Sequence, residues 1–182
     1  MFSRTANTRP RSRAFTLVEM AVVIAIIAIL SATAIAALAS LEGARQAAAA
    51  QEVERMLLTA RTQAVSAGRP WGVEVDFTNQ RVRYVRIATI GAAPTPPPAT
   101  GKGTADWLNV PAQYPDASIS NLILGSGASN ASGTVWFDTT GNPAVRNASG
   151  TRTGPATADA EFTFAGGFVI RVRQLTGAIE RE

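Results

Sequence analysis

The chain has no cysteine and no histidine. Disulfides, thiolate nucleophiles, the commonest zinc and copper ligands and the usual base of a Ser-His-Asp triad are excluded with them. Acid is missing from the first 18 residues, where Arg4, Arg9, Arg11 and Arg13 supply four of the 17 basic side chains. No proline occurs between Pro10 and Pro70 and no glycine before Gly43, so no proline interrupts a helix over that stretch, while Gly43 permits a bend. There is no Asp-rich loop to hold calcium and no internal repeat. The one partial phosphate-loop match, Gly101-Lys102-Gly103-Thr104, lacks the upstream glycine spacing and a flanking strand. No metal, cofactor or catalytic residue is expected, and the chain is not expected to be an enzyme.

What is present begins with charge asymmetry. The formal net charge is +4, yet all 13 acidic residues come from Glu19 onward, and without the first 14 residues 13 basic side chains face 13 acidic ones. The basicity belongs to a leader, where arginines ahead of an apolar segment hold that end in the cytoplasm. From Met20 to Leu41 run 22 uncharged residues dominated by Ala, Ile, Val and Leu, and about 20 such residues span a bilayer core as a helix. Ala37-Leu38-Ala39 before Ser40 imitates a secretory cleavage site, but the apolar run exceeds the usual length of about 7 to 15 residues. Glu19 stands at the start of this run, where a carboxylate is costly unless a cation meets it.

The stretch Arg13-Ala14-Phe15-Thr16-Leu17-Val18-Glu19-Met20, after its basic leader and before its apolar helix, resembles the class III signal of type IV pilins and type II secretion pseudopilins. The resemblance implies cleavage by a prepilin peptidase between Ala14 and Phe15, with methylation of the Phe15 amine. The family usually has glycine before the cut, and Ala14 stands there instead. It also implies a partner for Glu19, the Phe15 amine of a neighbouring subunit. A carboxylate and an ammonium in low dielectric offset each other's desolvation and set the register between helices.

Beyond the anchor, Val53, Leu57, Ala60 and Ala64 recur at helical spacing among Glu52, Glu54, Arg55 and Arg61, and Gly68 and Pro70 supply a stop. The expected organisation is a leader over 1–14, a membrane and filament-core helix over 15–41, its amphipathic continuation over 42–69, and a β-rich head over 70–182. Within the head, Val73, Val75 and Phe77 alternate with Glu74 and Asp76, and Thr78-Asn79-Gln80 turns the chain into Val82 and Tyr84. Further strands are expected over 121–124, 134–137, 161–164, 168–173 and 178–180. The Pro-rich stretch 88–106 reads as a loop offering a contact surface, and the Ser, Asn, Gly and Thr-rich tracts 125–133 and 141–158 as separators. The expected fold is α+β, a long N-terminal membrane-spanning helix packed on an antiparallel β-sheet or sandwich head.

Val135-Trp136-Phe137-Asp138 with Gly141, then 168–173 and 176–181, resemble the head shared by the type II secretion minor pseudopilin H and FimT-type minor pilins. The resemblance implies a single-pass inner-membrane protein, N-terminus cytoplasmic and head periplasmic, that enters a pseudopilus and supports secretion across the outer membrane. The partners it implies are other pilins or pseudopilins, a prepilin peptidase, and an assembly platform with its ATPase. The alternative is a FimT-like minor pilin acting in pilus assembly or DNA uptake, with Arg171, Arg173 and Arg181 as nucleic-acid contacts. Glu180 and Glu182 flank Arg181, and arginines alternating with core residues describe the wet face of a strand, so nucleic acid is not the expected partner. Glu74 and Asp76 share a strand face as an acid–base pair would, and also as any amphipathic strand would.

Overall fold

Thr16, the polar residue just ahead of the apolar run, marks where helix begins. The computed structural model describes residues 16–89, 91–98 and 107–182, with the backbone alone for 33–39. Helix α1 runs Leu17–Ala67, and Gly43 lies within it. Gly68 follows with φ +60°, the left-handed conformation that ends a helix and that glycine adopts without a Cβ penalty. The chain divides into two units, Met1–Ser40 and Leu41–Glu182.

In the second unit the helix buries Gln46, Ala49, Ala50, Val53, Met56, Leu57, Ala60 and Ala64, a stripe at three- and four-residue spacing. Val53, Leu57, Ala60 and Ala64, the four positions read from the sequence, are completely buried. Two antiparallel sheets share this core. The first has six strands in the order β3-β2-β1-β5-β6-β7, where β1 is Trp71–Asp76, β2 Arg81–Arg86, β3 Leu108–Asn109, β5 Gly133–Phe137, β6 Pro143–Arg146 and β7 Arg152–Pro155. The second is β10-β9-β8-β4, with β4 Ile119–Ile123, β8 Ala160–Phe164, β9 Val169–Val172 and β10 Ile179–Arg181. A short helix α2, Val110–Gln113, is capped by Asn109, whose side-chain oxygen accepts the Ala112 amide at 3.1 Å. The expected α+β architecture, a long N-terminal helix followed by an antiparallel β head, is the one observed.

Alternation does the sorting. Val73, Val75, Val82 and Tyr84 face the main core with Phe137, Phe162, Phe164, Ile170 and Val172, while Val85, Ile87 and Trp136 form a small second cluster. Trp136 lies opposite Gly72 in the β1–β5 register, and a Cβ on Gly72 would sit 2.9 Å from the indole Cε3 and 2.7 Å from the Val135 carbonyl oxygen. That glycine is what lets β5 and its tryptophan approach β1 so closely.

One expectation is corrected, and two further segments carry detail that the sequence pattern does not show. The tract 141–158, read as a separator, contains β6 and β7. Their edges carry Pro143 at the first residue of β6 and Pro155 at the last of β7, the outermost strand, which are the places where a sheet tolerates proline. The segment 107–113, for which the sequence pattern sets no expectation, holds β3 and α2. The expected loop 88–106 is pinned at one point, since Arg86 and Thr95 exchange backbone hydrogen bonds at 2.9 and 3.0 Å; residues 90 and 99–106, Lys102 among them, lie outside the described residues.

Candidate functional site

At the helix start Thr16 and Glu19 form a capping box. The Glu19 amide donates to Thr16 Oγ1 at 3.2 Å, and the Thr16 amide and hydroxyl both donate to Glu19 Oε2, at 3.0 and 3.1 Å. Thr-x-x-Glu is the spacing that satisfies otherwise orphaned N-terminal donors reciprocally, and it was legible in Thr16-Leu17-Val18-Glu19 although the sequence reading gave Glu19 only an intersubunit role. Ala14 and Phe15 lie outside the described residues.

The turns that follow are apolar on every side. Leu17 is 86% exposed, Ile24 63% and Ile29 66%, with Val22, Val23, Ile26, Ile27 and Leu30 also exposed, and at 3.6 residues per turn these positions encircle the helix. Such a surface needs lipid or other helices around it. Among the described residues no helix is long and apolar enough to cross a membrane, and the expected span 15–41 includes 33–39, for which only backbone is described.

The C-terminal arginines are held by carboxylates. Arg171 reaches Glu161 at 3.2 Å and Glu182 at 2.8 Å, Arg173 reaches Asp159 at 3.0 Å and Glu180 at 2.8 Å, and Arg181 reaches Glu54 at 3.5 Å. The two bonds to Glu180 and Asp159 push the Arg173 pKa up, and the Gln174 amide, with Arg173 behind it, holds the Asp159 carboxyl below the usual range. Glu74 and Asp76 are likewise engaged: Glu74 meets Arg83 at 2.6 Å and Asp76 meets Arg81 at 2.8 Å, each pair directly opposite across β1–β2. Trp107 stacks on both guanidinium groups, 4.5 Å from Arg81 and 4.3 Å from Arg83. These acids serve a cross-strand ladder, with no free base among them.

Two asparagines of the Ser, Asn, Gly and Thr-rich tracts brace the backbone with their side chains. Asn130 Oδ1 accepts the Leu122 amide, and Asn147 Oδ1 accepts the Thr151 amide in the β6–β7 hairpin.

Residues 9–35 match the family described as prokaryotic N-terminal methylation motif. No curated protein matches the chain in sequence. Among solved structures the fold is similar to the minor pseudopilin EpsH from the Type 2 Secretion System of Vibrio cholerae, with 12% identity, a TM-score of 0.54, and 75% of this chain and 94% of EpsH covered. The Pseudomonas aeruginosa type IV minor pilin FimU is similar at 15% identity and a TM-score of 0.47, covering 75% of this chain and 87% of FimU. The chain therefore joins an N-terminal methylation motif, running into a capped apolar helix, to a helix-on-sheet head whose fold is similar to that of EpsH.

Proposed function

We propose that the chain is a minor pseudopilin of a type II secretion system, cut between Ala14 and Phe15, methylated at Phe15, and anchored through 15–41 in the inner membrane with its head in the periplasm. The observation that carries the reading is the pairing of a methylation motif over residues 9–35 with a head of minor-pseudopilin fold. Its chemistry is association. Extraction from lipid exposes a helix that is apolar all round, so assembly requires external work by a platform and its ATPase, and reburial among the helices of other pilins or pseudopilins.

Glu19 has two tasks in this reading. Its Oε2 completes the cap inside the subunit, and the remaining charge is available to the Phe15 ammonium of a neighbour. Cleavage leaves the cap intact, because Thr16 keeps its amide when Phe15 becomes the first residue. Nucleic-acid contact through Arg171, Arg173 and Arg181 would first have to break the ion pairs that occupy them.

Mass determination of the N-terminus purified from membranes tests the proposal. A chain beginning at methylated Phe15 supports it; one beginning at Ser40 would make the mature protein a soluble periplasmic one and end it.

A further inference from the structure

We infer that the head carries an oxyanion-binding cavity at the β6–β7 end of the six-stranded sheet, taking a carboxylate or phosphate group that belongs to a larger molecule. A cavity of about 670 Å³ opens there, lined by Arg69, Arg146, Arg152 and Asp138 with Pro70 and Ile87 among its apolar walls. It does not depend on the pseudopilin reading.

The charge is unbalanced by construction. Arg146 and Arg152 are directly opposite each other in the β6–β7 register, an arrangement in which like charges repel. Asp138 bridges them, giving Oδ1 to Arg146 at 2.8 Å and Oδ2 to Arg152 at 3.0 Å. Both its oxygens are then engaged and its single negative charge serves two cations. Arg69, on the same wall, donates to the Ala88 carbonyl oxygen at 3.2 Å and has no carboxylate partner among the described residues. Three guanidinium groups against one carboxylate leave two positive charges in one concavity, within a chain whose residues after the leader balance at 13 against 13.

One of the three is also unfinished. The Arg146 side chain is 10% exposed, and while its terminal nitrogens serve Asp138 and the Gly150 carbonyl oxygen at 2.9 Å, its Nε is buried without a hydrogen-bond partner. A buried guanidinium donor left unmade is costly, which holds Arg146 in place only through Asp138 and the Gly150 carbonyl. Planar guanidinium forks match carboxylate and phosphate oxygens in pairs. The cavity far exceeds a lone phosphate, and its apolar walls suit the body of a molecule whose anionic end meets the arginines.

The test uses the full chain in a non-ionic detergent, with inorganic phosphate and succinate as separate probes against sodium chloride of matched ionic strength. Either anion should raise the melting midpoint by about 2–4 °C in a saturable way, and Arg69→Gln, which breaks no ion pair with a carboxylate, should weaken that response at least about fivefold. The double variant Arg69→Gln/Arg152→Gln should melt cooperatively yet not respond at all. A stronger response to phosphate assigns the group to a phosphorylated molecule, and a response to succinate as strong or stronger assigns it to an acidic side chain. No response to either anion beyond chloride, or an undiminished response in both variants, overturns the inference.

Discussion

Glu19 closes back on Thr16, its Oε2 accepting both the amide and the hydroxyl of that residue while its own amide donates to Thr16 Oγ1. The carboxylate therefore has a partner before any neighbour arrives, and cap and charge are separable by mutation. Thr16→Ala should cost about 1 kcal/mol at the helix start, which amide hydrogen exchange over 17–20 in micelles would read as roughly fivefold faster exchange. Glu19→Gln retains the box, because glutamine serves at the same position, but removes the charge. It should keep wild-type exchange protection and lose incorporation into filaments; normal incorporation of a processed Glu19→Gln or Glu19→Ala chain would refute the intersubunit pair.

Gly72 and Gly43 should respond oppositely to alanine. At Gly72 a Cβ meets the Val135 carbonyl oxygen at 2.7 Å and the Trp136 ring at 2.9 Å, so Gly72→Ala should destabilise by about 1–3 kcal/mol and shift the near-ultraviolet circular dichroism of the indole. At Gly43 nothing lies within 4 Å, and a helical glycine replaced by alanine should gain about 0.5–1 kcal/mol. Urea midpoints of the two variants moving in the same direction would contradict this.

Leu57 is completely buried in the main core with Ala60, Ala64 and both inner sheet faces. Leu57→Ala should cost about 2–5 kcal/mol, seen as a lower urea midpoint at unchanged slope. Leu58, one position along and 44% exposed, should change by less than about 1 kcal/mol when cut to alanine. Comparable losses at the two positions would mean the helix docks by another face.

Acid should weaken the head through Asp159 and Asp76. The Gln174 amide and Arg173 hold the Asp159 carboxyl below its usual range, and the Asn79 side chain and amide, with Arg81, do the same for Asp76. A folded-state pKa below the unfolded one stabilises at every pH above the ordinary value of about 4 and is lost as pH falls through it toward the folded value. The melting midpoint should stay level from neutrality to about pH 5 and drop below about pH 4. Asp159→Asn should melt lower than the parent at neutral pH, the gap narrowing in acid; a gap independent of pH would exclude Asp159 as a source.

Arg171 links Glu161 and Glu182. Arg171→Gln should lower stability by no more than about 1 kcal/mol, as for partly exposed pairs, and leave the migration of duplex DNA in a low-salt gel unchanged. Loss of a DNA retardation on this substitution would restore the nucleic-acid reading.

The elements most legible in the sequence were those whose periodicity carries burial. The stripe Val53, Leu57, Ala60 and Ala64 and the alternation of Val73, Val75, Val82 and Tyr84 each placed the right side chains inside, because a helix face and a strand face repeat at fixed intervals. β6 and β7 were not legible: Pro143, Gly154 and Pro155 read as turn residues, and only their position at the end and edge of a sheet makes them acceptable strand residues. β3, two residues long, has too little chain to show a period at all.

By itself the sequence determined the local chemistry: a basic leader, a methylation motif, an apolar helix with Glu19 at its start, and a β-rich remainder. These depend on neighbours a few residues away. Only the tertiary structure decided which charges are spent and which remain, since ion pairing depends on distance in space. It set Arg171, Arg173 and Arg181 against carboxylates drawn from β8 and the residue before it, β10, the chain end and α1, and gathered Arg69, Arg146 and Arg152 in one cavity with Asp138. The leader arginines are unbalanced by sequence alone, whereas the excess of cations around Asp138 is a product of folding.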